Sequence, residues 1–386
     1  MIELDRLDMT AYLRRLSEIM NAFDELNIKI ILAMHRFGPR NLLEVARQAR
    51  IPWNTVYSRV RKLERQYMPL TYVSPAYSKL GLVRIAVLAL ATPGREFITD
   101  ALLRLPNLWS TTFSAEAPFT HYSIHAVPLN CLSEFKKYLE ALQELEIVQR
   151  YQATEISDNY RALPNFEFFD PRTKTWLLNW DRWLKDSVKH RKTLSASDPS
   201  AYDVQADKTD LLILKELEKN GRKRFSEISD VLGITLQAVK HRFDSKITKR
   251  GMIQNYVFTF LSYPVELSDL REVRLDFSNE MSMNRFFSAA ITLPFVYNIS
   301  KVLRRPSLMV RTLVPRASRK DFFGFISNLV ASGLITDYST IRLHPEDQMR
   351  QTISHELFDD ERGWQWDLNK CLSAAENVVK RSYVRT

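Results

Sequence analysis

The feature that most limits the possible folds of this chain is an internal repeat in its sequence. Residues 28–60 align without a gap on residues 211–243, and a second run of matches follows further along. Low identity but constant order and spacing of apolar positions is typical of an internal duplication, here of a unit of about 190 residues. The matched pairs include Gly38 with Gly221, Ile51 with Ile234, Val56 with Val239, Arg59 with Arg242, Val127 with Val314, Phe135 with Phe322 and Trp176 with Trp364.

Each unit begins with apolar spacing that predicts three short helices. In the second unit a helical stripe over 207–220 ends at Gly221, a helix follows at 225–232, and Gly233-Ile234 forms a tight turn. Thr235 then caps a third helix, and the strand-like "MIQNYVFTF" after Gly251 predicts a wing. Three helices in this order predict a helix-turn-helix whose third helix reads DNA. The predicted inward residues of that helix are Trp53, Val56, Val60 and Leu63 in the first unit and Leu236, Val239, Phe243 and Ile247 in the second.

The second part of each unit alternates strand and helix patterns in the order β-α-β-β-α-β, which predicts a ferredoxin-like fold. The predicted elements are 82–92, 95–105, 109–115, 121–127, 132–145 and 148–156 in the first copy, and 270–277, 282–293, 296–302, 307–314, 319–332 and 335–343 in the second. Both helices of such a unit cover one sheet face. The other faces are therefore expected either to pack on each other within one chain or to mediate homodimerisation.

The predicted fold class is α+β, with two repeats of a helix-turn-helix, a ferredoxin-like domain and a helical tail. In the first tail Trp176, Trp180 and Trp183 have the i, i+4, i+7 spacing of one helix face, expected to pack on its own unit or to bind a partner or ligand. The predicted boundaries are an N-terminal helix (1–20), helix-turn-helix 1 (21–80), ferredoxin-like domain 1 (81–157), a Trp-rich helical tail (158–192), a linker (193–206), helix-turn-helix 2 (207–262), ferredoxin-like domain 2 (263–345) and a second helical tail (346–386).

Charge points to a polyanionic partner. The chain has 55 Lys and Arg against 45 Asp and Glu, a net charge of +10, and both third helices are rich in basic residues. The predicted phosphate contacts are Arg47, Arg50, Arg61, Lys62 and Arg65 in the first unit, and Lys240, Lys246, Lys249 and Arg250 in the second. The predicted base contacts at the helix starts are Asn54, Thr55 and Ser58 in the first unit, and Thr235, Gln237 and His241 in the second.

The sequence lacks motifs typical of nucleotide binding, of disulfide frameworks and of zinc sites. The sequence has no Gly-rich phosphate loop, and its two cysteines, Cys131 and Cys371, lack the spacing of a disulfide framework or a zinc site. No basic-then-apolar leader and no apolar run long enough to cross a bilayer is present. The expectation is a cytoplasmic, non-enzymatic protein without cofactor, metal or membrane partner.

The motif Thr55-Val56-x-x-Arg59-Val60-x-x-Leu63-Glu64 and its counterpart Ala238-Val239-x-x-Arg242-Phe243, followed by Gly251-Met252-Ile253, carry a family resemblance. With the domain order, they resemble the leucine-responsive/asparagine (Lrp/AsnC) transcription regulators, here in tandem. The resemblance implies DNA binding, dimerisation through the ferredoxin-like domain and, in some members, amino-acid sensing. The turns at 115–118 and 303–306 lack the Gly and Asp typical of the family, so a small-molecule effector stays an open question.

The predicted function is that of a sequence-specific transcription regulator, a covalent pseudo-dimer that binds double-stranded DNA with two non-identical reading helices. One alternative is a protein-interaction or metabolite-binding module with degenerate helix-turn-helix domains, because Trp53 places apolar bulk in the first reading helix. A third hypothesis follows from a related branch of the same family, in which paired chains of this kind decarboxylate siroheme.

Overall fold

The computed structural model describes residues 9–67, 71–104, 109–160, 163–189 and 194–383, and confirms the α+β class. The helices are α1 (Met9–Glu18), α2 (Glu25–Phe37), α3 (Leu42–Ala49), α4 (Trp53–Gln66), α5 (Glu96–Leu103), α6 (Leu132–Glu144), α7 (Trp180–Lys189), α8 (Lys208–Lys219), α9 (Phe225–Leu232), α10 (Leu236–Arg242), α11 (Glu280–Ala290), α12 (Arg319–Ala331) and α13 (Leu368–Tyr383). The strands are β1 (Thr71–Pro75), β2 (Leu82–Ala91), β3 (Trp109–Ala115), β4 (His121–Pro128), β5 (Val148–Ile156), β6 (Phe169–Asp170), β7 (Thr175–Trp176), β8 (Ile253–Phe258), β9 (Ser268–Asp276), β10 (Val296–Lys301), β11 (Ser307–Pro315), β12 (Asp337–Arg350), β13 (Phe358–Asp359) and β14 (Gly363–Trp364).

Both helix-turn-helix units are held by the same ion-pair arrangement, which we call the arginine clasp. In the first, Arg59 of α4 donates to Asp24 (Nη1–Oδ2 2.6 Å), the residue that caps α2. In the second, Arg242 donates to Asp207 (2.6 Å), which caps α8, and to the fully buried Asp210 (2.9 Å). Each clasp therefore fixes the third helix of its unit to the start of the first helix.

The third helix of the second unit is longer than α10 alone. It continues without a break as a π-helical segment from Phe243 to Thr248, and Ile247 in that segment is fully buried. At the preceding turn, Gly233 has φ +67°, the left-handed conformation that a glycine adopts without strain. The turn and the buried stripe together orient the exposed face of this helix away from the core.

The two helix-turn-helix units are joined directly to each other. Their strands β1 and β8 pair antiparallel, with Thr71 opposite Phe258. Arg40 of the first unit donates to the carbonyl oxygens of Gly221 (2.8 Å) and Lys223 (3.0 Å), and its guanidinium lies 4.1 Å from the ring centre of Phe225. In return, Arg222 donates to Glu64 at 2.7 Å. The relative position of the two reading helices is therefore fixed within one chain.

The ferredoxin-like parts join into one eight-stranded sheet with the order β10-β11-β9-β12-β3-β4-β2-β5. The two halves meet where β12 pairs with β3, and at the far edges the bridge Ile156–Val302 brings β5 next to β10. The guanidinium of Arg311 on β11 lies 4.8 Å from the ring centre of Phe113 on β3, so the inner faces of the two halves contact each other. Face-to-face packing within one chain is thus the arrangement observed.

Each tail helix packs on the opposite half of the chain, whereas the sequence predicts that the first tail packs on its own unit or binds a partner or ligand. Trp183 of α7 is buried beside Phe295, with 5.4 Å between ring centres, in the core formed by α11 and α12 of the second half. Ala375 of α13 is buried in the core that α6 forms in the first half. The exchange buries apolar helix faces between the repeats and stabilises the chain as one body.

The expectation that Trp176, Trp180 and Trp183 share one helix face is wrong. Trp176 lies in β7 and pairs with Phe169 of β6, whereas α7 begins only at Trp180. Residues 177–179 separate the two elements, and the i, i+4 spacing across them is coincidental. Some predicted segments, including residues 1–8 of the N-terminal helix, the end of the helix at 105, residues 190–192 of the first tail and residues 384–386 of the second, lie outside the described residues.

Candidate functional site

The first reading helix, α4, presents a polar and basic outward face. Asn54, Ser58, Lys62 and Arg65 are exposed, while Thr55 and Arg61 are half-buried. Ser58 donates to the Thr55 carbonyl oxygen (3.1 Å), so its hydroxyl also serves the helix backbone. The face has the composition needed to contact phosphates and base edges of a duplex.

Trp53 lies on this outward face, so the expectation that it packs inward is wrong. It is 45% exposed and stacks on Tyr57, itself 40% exposed, with 5.2 Å between ring centres and 21° between ring planes. Leu236, at the aligned position of the second unit, was also expected inward and is 42% exposed. Both residues occupy the first position of their helix, where the chain enters from the turn and the core is already filled by Val56 and Val239.

Arg47 and Arg50 lie at the end of α3, beside the start of α4. Arg47 donates to Glu44 (Nε–Oε2 2.9 Å), and this bond raises the pKa of Arg47 and lowers that of Glu44 to about 2. Arg50 is exposed and has φ +56°, a left-handed conformation that ends the helix. Unlike Arg47, Arg50 has no observed ion pair among the described residues.

The second reading helix exposes Thr235, Gln237, Lys240 and His241 along its first two turns, and Lys249 at its end. The Thr235 hydroxyl accepts from the Ala238 amide (3.2 Å), so this predicted base contact also caps the helix. No intramolecular ion pair is observed for Lys240 or Lys249 within the described part of the chain. These two lysines therefore present full positive charges to solvent.

Lys246 and Arg250, predicted as phosphate contacts, already have intramolecular partners. Lys246 donates to Asp207 (2.8 Å) within the clasp, and Arg250 donates to the Gln205 carbonyl oxygen (2.7 Å). Burial alone would raise the pKa of Asp207, but the bonds from Arg242 and Lys246 outweigh it and lower the pKa well below its usual value. The role of Lys246 visible here is to hold the clasp.

A cavity of about 450 Å³ lies between the second helix-turn-helix, the strand β1 and the inner face of the second sheet half, with α1 along one side. Its wall is mainly apolar, with Leu13, Leu16, Phe113, Phe260 and Leu313. Volume and lining fall in the range of small-molecule sites. This cavity was missed from the sequence, because it is formed by parts of the chain far apart in order.

Four basic side chains face this cavity: Arg311, Arg350, Lys219 and Lys223. Arg311 is buried and donates to Glu272 (2.9 Å). The guanidinium of Arg350 lies 4.3 Å from the ring centre of Tyr72 and 3.7 Å from Glu218, yet its Nε has no hydrogen-bond partner within the described residues. The Thr71 hydroxyl at the same wall is likewise buried without one. Each of the four cations has a carboxylate partner, and Glu218 and Glu227 also line the cavity, so an apolar wall is combined with charges of both signs.

A sequence signal for the cavity exists in hindsight. Pairing of β11 with β9 sets Arg311 opposite Glu272, and the corresponding pairing of β4 with β2 sets Ile124 opposite Ala86. At these positions of the inner sheet face, the second repeat therefore has an ion pair and the first repeat has two apolar residues. No group of His, Cys, Asp and Glu in the described ranges could hold a metal ion, and no helix among them is long and apolar enough to cross a membrane.

The profile of a family described as "Winged helix-turn-helix DNA-binding" matches residues 207–245. An uncharacterised HTH-type transcriptional regulator of Pyrococcus furiosus is 44% identical over 50 residues, covering 13% of this chain and 32% of the relative. A second, of Pyrococcus horikoshii, is 28% identical over 125 residues, covering 32% of this chain and 82% of the relative. The chain thus spans about a third of the Pyrococcus furiosus relative it matches.

A solved structure described as the siroheme decarboxylase NirDL is similar over almost the whole length. It covers 92% of this chain and 100% of its own, with a TM-score of 0.56 and 10% sequence identity. At this identity the likeness shows the fold alone. It indicates that the complete arrangement, with two helix-turn-helix units and two joined sheets, also occurs in another protein.

Proposed function

We propose that this tandem Lrp/AsnC-like chain, whose resemblance to that family is confirmed, is a DNA-binding transcription regulator that places two non-identical reading helices on one duplex. The observation that carries the proposal is the exposure of both third helices. Asn54, Ser58 and Lys62 in one, and Gln237, Lys240 and His241 in the other, are exposed to solvent. Because the two sets differ, the two half-sites they contact are expected to differ in sequence.

The fixed position of the two units supports the covalent pseudo-dimer. In a homodimer the distance between the reading helices is set by an interface between two chains. In this protein the same distance is set within one chain, by the pairing of β1 with β8 and by the hydrogen bonds of Arg40 and Arg222. Half-site spacing then becomes a property of a single chain. One chain is expected to suffice for one DNA site.

The test is a salt titration of DNA binding. Lys240→Ala combined with Lys249→Ala removes two exposed cations from the second reading helix. Each phosphate contact contributes about 0.9 to the slope of log K against log salt concentration, so the slope is expected to fall by about 2. A duplex selected by the wild-type chain from a random pool and a gel-shift series at increasing salt measure it.

The matched control replaces Lys137 and Lys320, two exposed lysines on the ferredoxin-like helices, by Ala. It makes the same change in net charge away from the reading helices and is expected to leave the slope unchanged. Equal slopes for both double variants would remove the second reading helix from the DNA interface.

A second candidate function is the binding of a carboxylate-rich tetrapyrrole, as in a siroheme decarboxylase. The fold likeness to NirDL supports it, and so does the cavity with the buried Arg311 and the half-buried Arg350. A second NirDL structure is described as a complex with an iron-uroporphyrin III analogue. Arginine is suited to such a ligand because its planar fork pairs with carboxylates and stacks on aromatic rings.

Titration of the chain with iron-uroporphyrin III, followed by absorbance, tests this candidate. The wild-type protein is expected to bind, and Arg350→Met to weaken binding by at least about ten-fold, as expected for loss of a charge-assisted hydrogen bond. Lys137→Ala serves as the control. Mass spectrometry of siroheme incubated with the protein then separates binding from decarboxylation, and absence of porphyrin binding would exclude the candidate.

A further inference from the structure

The first residue of each reading helix is a large apolar side chain exposed to solvent. Trp53 begins α4 and is 45% exposed, and Leu236 begins α10 and is 42% exposed. The two positions coincide when residues 28–60 are aligned on 211–243. Both reading helices therefore present apolar surface at the same place, their first turn.

The start of a reading helix is also the part that meets base edges in the major groove. The only apolar feature that bases present there is the C5-methyl group of thymine. Hydrophobic contact at this position therefore discriminates thymine from the other bases without a hydrogen bond. The polar residues around it, Asn54 and Ser58 in one helix and Gln237 in the other, remain available for hydrogen bonds to neighbouring bases.

We infer that Trp53 and Leu236 are thymine-reading residues that contact the C5-methyl group in the two half-sites. The inference rests on the proposed DNA-binding function and names the base that each helix start selects. In α4 the contact surface is larger and more rigid, because Trp53 is stacked on Tyr57 and the guanidinium of Arg61 lies 6.0 Å from the Tyr57 ring centre. A side chain already held in place loses less conformational freedom on binding.

The second half offers a smaller contact. The position aligned with Tyr57 is Lys240, and the position aligned with Arg61 is Asp244. Leu236 therefore lacks the aromatic neighbour that holds Trp53. The thymine preference is expected to be stronger in the half-site read by α4 than in the one read by α10.

The experiment uses the full chain and a duplex that it selects from a random-sequence pool. Each thymine of the duplex is replaced in turn by deoxyuridine, which lacks only the methyl group, and affinity is measured by fluorescence anisotropy. For the wild-type chain, one replacement in each half-site is expected to weaken binding, by about four-fold in the half read by α4, the effect of burying one methyl group.

Two variants assign the effect. Trp53→Ala is expected to abolish the response to deoxyuridine in one half-site only, and Leu236→Ala in the other only. Both side chains are exposed, so the variants are expected to fold, which circular dichroism verifies. A wild-type chain that binds the duplex but responds to no deoxyuridine, or variants that keep the response, would overturn the inference while the DNA-binding function stands. Failure to enrich any duplex would overturn both.

Discussion

The two halves of this protein share a scaffold but differ in the surfaces built on it. Both hold their third helix with the arginine clasp, and both contribute four strands to the joined eight-stranded sheet. On the inner sheet face, however, the first half has Ala86 and Ile124 where the second has Glu272 and Arg311. The scaffold is thus maintained by a few geometric contacts, and the remaining positions are free to diverge after duplication.

The divergence is concentrated in two places. One is the pair of reading helices, with Trp53 and Tyr57 in the first and Leu236 and Lys240 in the second. The other is the cavity of about 450 Å³, which lies on the side of the second half and is bounded by α1. The pocket beside His35 of the first half is much narrower, with Phe258 and Phe260 in its wall. The comparison predicts different stabilities and different ligand responses for the two halves.

The largest effect is expected from the inner ion pair. Glu272→Ala leaves the buried Arg311 without its carboxylate, which costs about 3–5 kcal/mol of unfolding free energy. The double variant Glu272→Ala with Arg311→Ile reproduces the residues of the first half and is expected to lie within about 1 kcal/mol of wild type, or above it. Urea denaturation measures both. If the single variant were as stable as wild type, water in the cavity would be solvating Arg311.

A smaller difference is expected between the two clasps. Arg242→Ala removes a partner of Asp210, whose carboxylate is fully buried, and is expected to cost about 3 kcal/mol even though Lys246 remains 3.8 Å away. Arg59→Ala is expected to cost about 1 kcal/mol, because Asp24 is half exposed and its neighbour Asn27 is neutral. Amide hydrogen exchange, measured for α2 and α8, reports the stability of the two helix-turn-helix units separately. Equal losses of protection would mean that the clasps are equivalent.

The smallest effect is expected for the stability that the clasps contribute, which decreases at low pH. The pKa of Asp207 is lower in the folded chain than its ordinary value of 3.8, so the pairing contributes stability above pH 3.8 and loses it as pH falls further. Asp207→Asn keeps the helix cap and removes the charge. The wild type is expected to lose about 1 kcal/mol more than this variant between pH 7 and pH 3. Asp24→Asn, with one cation at its partner instead of two, should differ less from wild type.

Local structure could be read from the sequence because it depends on local periodicity. The strands predicted at 109–115 and 148–156 are those observed, and most other elements of both ferredoxin-like halves differ by one to three residues at their ends. The exception is β12, which continues seven residues beyond the predicted end at 343, into the segment predicted as a helical tail. Apolar alternation and helical stripes determine such elements whatever they later pack against. The same reasoning placed Val56 and Val239 correctly in the core.

The errors arose where position depends on distant parts of the chain. Helical spacing suggested that Trp53 and Leu236 face inward, but each stands at the first turn, beyond the reach of the core. Trp176 matched the spacing of a helix that begins only after it. Because the two units are alike in sequence, the repeat does not indicate on which half a tail helix packs. The packing of α7 on the second half and of α13 on the first half was therefore not predicted. The cavity requires α1, β1, α8 and β11 together.

A footprint of the full chain on its selected duplex tests the covalent pseudo-dimer most directly. One chain is expected to protect two segments of unlike sequence. Substitution of Lys62 and Arg65 by Ala is expected to remove protection of one segment, and substitution of Lys240 and Lys249 by Ala is expected to remove protection of the other. Protection of a single segment, or of two identical inverted segments by two chains, would contradict the covalent pseudo-dimer.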